Sequence, residues 1–97
     1  MYYYKVESWE WEPGSKTEMG GGDYASKENA MRCALDIVDM IEKAYEVKLE
    51  REDTQYSTIW SWNNGKEVNT KYSMWLATHV LVVQVVKVPL LDTIDNE

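Results

Sequence analysis

Phenylalanine is missing altogether from this chain of 97 residues, although it holds five tryptophans and seven tyrosines. Every large aromatic ring therefore brings an N–H or O–H group that needs a partner when buried, which suits surfaces that are half buried and half wet. Cysteine is represented by Cys33 alone, which excludes a disulfide within the chain. His79 is the only histidine, so a zinc site would have to draw most of its ligands from carboxylates, and no sequence spacing suggests one. Basic residues are also scarce. Ten lysines and arginines stand against 17 acids, for a net charge of −7. A polyphosphate partner would have to approach against that field, so direct nucleic-acid binding is disfavoured and a basic protein, or a patch normally occupied by nucleic acid, is favoured. The longest apolar run, from Val80 to Val88, is broken by Gln84 and Lys87 and is far too short to span a bilayer.

The length suits one domain, residues 1–97, and 44% apolar with 28% charged residues is ordinary for a globular protein. The segment Met1-Tyr2-Tyr3-Tyr4-Lys5 is not a basic region followed by an apolar stretch. Together with the single cysteine, this makes a reducing, cytoplasmic setting the expectation.

Tyr2 to Glu12 reads as a strand of aromatic and β-branched residues. Tyr2, Tyr4 and Val6 share one parity and Trp9 and Trp11 the other. Either the strand is apolar on both faces, or a bulge near Ser8 switches its register. Pro13-Gly14 ends it. Residues 13–25, with Gly20, Gly21 and Gly22, read as a long loop, hinged by the glycines before Asp23 and Tyr24.

A helix follows, with Ser26 as N-cap and Glu28 near the positive end of its dipole. Ala30, Cys33, Ala34, Ile37, Val38, Ile41, Ala44 and Tyr45 form its apolar side. Lys48 would fall in the middle of that side, so the helix should stop near Glu46. The charged stretch 50–53 leads to a strand over 54–63, and Asn64-Gly65 predicts a tight turn into a strand beginning near Lys66. In that strand Val68, Thr70, Tyr72, Met74 and Leu76 share a face. The last strand, 78–88, is apolar on both faces and belongs in the centre of its sheet. The acidic tail, residues 90–97, closes the chain with frayed ends. The expected fold is thus α+β, in the order β-α-β-β-β, with one long helix on a mostly antiparallel sheet of about four strands. One helix covers one face of such a sheet, so the other face needs cover from a partner or from a second copy.

The chemistry-bearing features are few. Two Trp-x-Trp pairs, Trp9/Trp11 and Trp60/Trp62, would each form a small aromatic plate on a strand. Each plate either fills the core, docks on a protein, or stacks on a planar ligand such as a nucleotide at a dimer seam. Glu10 and Glu12 beside Trp9 and Trp11, together with Tyr24, complete the candidate binding set. The acidic helix row Asp36, Asp39, Glu42 and Glu46 reads as a solvated face rather than a phosphate mimic, because Arg32 and Lys43 interrupt it. Gly14-Ser15-Lys16-Thr17 holds the letters of a phosphate-binding loop in the wrong order, far from the helix. A Cys33–His79 nucleophile pair is disfavoured because Cys33 lies on the apolar helix side. No catalytic constellation, cofactor or metal emerges. The reading is a small acidic binding protein without enzymatic activity, acting as a homodimer or on a protein partner. Its size and charge resemble those of inhibitors carried by phages and mobile elements.

Overall fold

The computed structural model describes residues 1–64 and 79–90. Strand β1 (Tyr2–Glu12) turns back at once into β2 (Ser15–Tyr24), and α1 (Lys27–Tyr45) follows. Then come β3 (Glu50–Asp53), β4 (Ser57–Asn63) and β5 (Val80–Pro89). The five strands form one sheet in the order β2-β1-β5-β4-β3, and every pairing is antiparallel. The class is α+β, as expected, and β5 is central, as its two-sided apolar pattern requires.

Two expectations are corrected. Residues 15–24 are a strand, not a glycine loop, so a second strand precedes the helix. The reason lies in β1: its backbone offers a complete ladder from Tyr4↔Tyr24 to Glu12↔Ser15, and that pairing overrides the poor strand propensity of glycine. Gly21 also has a positive role, since its φ is 153° and a Cβ there would collide with the Val6 carbonyl. Only glycine lets the two backbones approach so closely. The irregularity in register falls between Ser8 and Trp9, where Ser8 pairs Gly20 but Trp9 pairs Glu18, leaving Met19 as the extra residue. The bulge is therefore in β2. β1 runs unbroken along β5 from Tyr2↔Pro89 to Trp11↔Val80 and is apolar on both faces.

The second correction concerns the charged stretch 50–53, which is the edge strand β3, exposed along its length. Four charged residues on an edge discourage pairing with foreign strands. The expected turn at Asn64-Gly65, the strand beginning near Lys66 and most of the acidic tail lie outside the described residues.

Helix α1 forms where its sequence predicts. Ser26 caps it by accepting from the Asn29 N–H at 3.1 Å, and Glu46 ends it in the left-handed conformation with φ 56°. Ala30, Ala34, Val38 and Ile41 are its buried residues, while Ala44, placed on the apolar side by the wheel, is exposed. The helix packs on β1, β2 and β5. Beneath it lie Val6, Trp60, Leu81, Val83 and Val85, and fully burying a side chain the size of Ile41 or Leu81 contributes about 1.5–3 kcal/mol. Ser8, wholly buried in this layer, is satisfied because its hydroxyl donates to the Gly20 carbonyl at 2.8 Å.

Candidate binding face and carboxylate–imidazole corner

Residues opposite one another in adjacent strands share a face, and neighbours along a strand do not. Trp60 pairs Val83 and Trp62 pairs Leu81, both beneath the helix. Trp9 pairs Val82 and Trp11 pairs Val80, on the reverse face. The two tryptophan pairs therefore stand back to back across the sheet. Trp60 is a core residue at 4% exposure, and Trp62 packs against the same core. Their role is structural.

Trp9 and Trp11 instead join Ile59, Val80 and Val82 in a second apolar cluster on the reverse face. Trp9, Trp11, Val80 and Val82 line a shallow open depression of about 300 Å³. Among the described residues no helix lies over this face. Its flanks are charged. Lys16 and Glu18 of β2 oppose Trp11 and Trp9, and Asp23 opposes Lys5. On the far side Glu50 opposes Ser61 and Glu52 opposes Ile59. The Lys16 ammonium sits 4.7 Å from the centre of the Trp9 ring and 3.9 Å from Glu18. Towards the other end, Gln84 donates to Glu7 at 2.7 Å, with the Lys5 ammonium 3.8 Å from the same carboxylate. Among the described residues this face thus carries five carboxylates, Glu7, Glu18, Asp23, Glu50 and Glu52, against two lysines, Lys5 and Lys16.

Glu10 and Glu12 are not beside the tryptophan plate. Their parity turns them to the helix side, at the end of the sheet where β1, β5 and the last turn of α1 converge. There the Tyr45 hydroxyl donates to Glu10 Oε1 at 2.8 Å, and His79 Nε2 lies 2.7 Å from Glu10 Oε2. The His79 ring meets Tyr45 and Trp62 edge-on, at centroid distances of 5.9 and 5.5 Å. Its backbone is fixed as well, donating to Asn64 Oδ1 at 3.1 Å and accepting from the Asn64 N–H at 3.2 Å. The hydrogen bond from Tyr45 and the bond and charge of His79 hold the Glu10 carboxyl below its ordinary value, against a partial desolvation that raises it. The same bond pushes the Tyr45 phenol up. Candidate metal-binding atoms of Glu10, Glu12 and His79 all lie within 4.8 Å of one another. Sequence reasoning missed this corner because Glu10 and His79 are separated by 69 positions in the chain and are brought together only by the β1–β5 pairing.

Tyr24, the remaining candidate, packs against the core from the end of β2, where its interaction with Cys33 raises its pKa. Cys33 lies near the start of α1 and Tyr45 ends it, 12 residues or about 18 Å along the axis. A Cys33–His79 pair is thereby excluded. In the acidic helix row, Asp39 is bound to Lys43 at 3.0 Å, and Glu42 accepts the Leu49 N–H at 2.8 Å, tying down the chain beyond the helix.

Among the described residues no helix is long and apolar enough to cross a membrane. Comparison with protein-family models, curated proteins and solved structures finds no match for the chain.

Proposed function

We propose that this is a non-catalytic binding protein whose reverse sheet face docks on a partner protein with a basic surface. The observation that supports this most is the Trp9/Trp11/Ile59/Val80/Val82 cluster, apolar at its centre and flanked on both sides by carboxylates. An apolar, tryptophan-bearing centre within a polar rim is the anatomy of a protein interface, and tryptophan is enriched among the residues that dominate binding energy. The rim selects the occupant. Glu18, Asp23, Glu50 and Glu52 complement lysine and arginine, whereas a second copy laid on the same face would set carboxylate-rich edges against one another. Self-association is thus the weaker alternative. A nucleotide-like ligand is weaker again: the depression is lined by four apolar side chains, and its acidic flanks repel phosphate. The corner at Glu10 does not resemble a poised catalytic group, since its ionised carboxylate and the neutral Tyr45 phenol satisfy one another.

The test is selection of a random peptide display library on the immobilised protein at low salt. Enriched peptides that combine apolar residues with lysine or arginine, and that lose binding to Trp9→Ala and to the double variant Glu50→Lys/Glu52→Lys, support the reading. Three outcomes overturn it: no enrichment, peptides without basic residues, or peptides bound equally by both variants. A dimer in sedimentation that dissociates on Trp9→Ala assigns the face to a second copy instead.

A further inference from the structure

We infer that Glu10, Glu12 and His79 form a binding site for a divalent first-row transition ion, Zn²⁺ in the first instance. The inference stands apart from the docking face, because alternation along β1 puts Trp9 and Trp11 on the other side of the sheet.

Two carboxylates and one imidazole are a mixed oxygen and nitrogen donor set. An imidazole ligand suits zinc, cobalt and their neighbours, while calcium and magnesium favour oxygen alone. Zinc bonds of about 2.0–2.2 Å place neighbouring donors about 3.3–3.5 Å apart around a tetrahedral ion. The three donors lie within 4.8 Å of one another; the set closes when the exposed Glu12 side chain rotates in and the Glu10–His79 hydrogen bond opens from 2.7 Å to admit the ion. Glu10 and Glu12 are two apart on one strand and project to the same side, towards His79, the residue just before the neighbouring β5.

The surroundings orient the donors. Tyr45 holds Glu10 Oε1, leaving Oε2, the oxygen 2.7 Å from His79 Nε2, to face the ion. Hydrogen bonds of this kind to a ligating carboxylate are a common support of metal sites. The rings of Tyr45 and Trp62 fix the imidazole from its edges. Tyr45 is also the last residue of α1, and the negative end of a helix dipole favours a cation nearby. Binding uses the Nε2 lone pair of a neutral imidazole, so the ring takes the tautomer with its proton on Nδ1 and the hydrogen bond to Glu10 gives way to the ion. Three protein ligands leave a fourth position for water.

Isothermal titration of the chelator-treated protein with Zn²⁺, repeated in buffers of different ionisation enthalpy, reads stoichiometry, affinity and proton release. Co²⁺ in its place reports coordination through its visible d–d bands. The expected result is one equivalent of Zn²⁺ bound. Glu12→Gln, an exposed substitution, should weaken binding at least about tenfold with an unchanged circular dichroism spectrum, because it deletes a ligand. Tyr45→Phe should cost about 10–100-fold by unfastening Glu10, and Cys33→Ser should leave affinity unchanged. Absence of saturable binding overturns the assignment. So does binding that ignores Glu12→Gln, or binding that is lost in Cys33→Ser.

Discussion

Trp9 and Trp60 lie on opposite faces of one sheet, each beside strand β5: Trp9 pairs with Val82 and Trp60 with the next residue, Val83. Adjacent residues of a strand point opposite ways, so this one-residue offset divides two similar motifs into a core element and a surface element. Trp60 is buried under α1, while Trp9 stays half exposed with Lys16 over its ring.

The two rings should therefore respond differently to truncation. Trp60→Ala removes a buried ring from the main core and should cost about 3–5 kcal/mol of folding stability. Trp9→Ala should cost clearly less while abolishing the proposed peptide binding. Urea denaturation of both variants, beside the peptide-binding assay, measures each effect.

Gly21 is held where no other residue fits. Gly21→Ala forces a Cβ against the Val6 carbonyl at a φ of 153°, and such strained positions cost about 1–3 kcal/mol. The expected outcome is a lower urea midpoint, with faster exchange of the β1 and β2 amides in hydrogen-exchange measurements.

Glu46 gives the opposite sign. As a non-glycine residue at φ 56° and ψ 47°, it carries the left-handed penalty that glycine escapes. Glu46→Gly should raise stability by up to about 1 kcal/mol, since relief of strain exceeds the extra freedom of the unfolded chain. The thermal midpoint checks this.

The Tyr45–Glu10 bond should contribute stability only over a middle range of pH. The Glu10 pKa is lowered on folding from its ordinary 4.5, so its contribution is full above 4.5 and is lost as pH falls through the folded value. Tyr45 is raised from its ordinary 10.0, so its contribution is full below 10.0 and is lost as pH rises through the folded value. The stability difference between wild type and Tyr45→Phe, measured in chelator, should plateau between 4.5 and 10.0 and shrink on either side. A difference independent of pH would assign the effect to packing.

Local features of this chain were legible from its residues. Ser26 as cap, the apolar positions of α1, its end near Glu46 and the central place of the two-sided β5 all follow from rules acting over a few residues. Short-range periodicity gave Trp9 and Trp11 the opposite parity from Tyr4 and Val6 but left open a bulge near Ser8, and only the unbroken register of β1 along β5 put them on opposite faces. Pairing was not legible. Gly20 to Gly22 look like a hinge until the backbone of β1 is beside them, and 50–53 looks like a charged linker until β4 gives it a ladder.

What the sequence determined by itself is the α+β class, the helix and its limits, and the presence of more apolar sheet surface than one helix covers. These depend on propensity, capping and alternation, which are properties of neighbouring residues. Only the tertiary structure decided which tryptophan pair belongs to the core, and only it brought His79 to Glu10 and Glu12. Those outcomes depend on strand order and register, which join residues far apart in the chain through backbone hydrogen bonds that every amino acid except proline can donate.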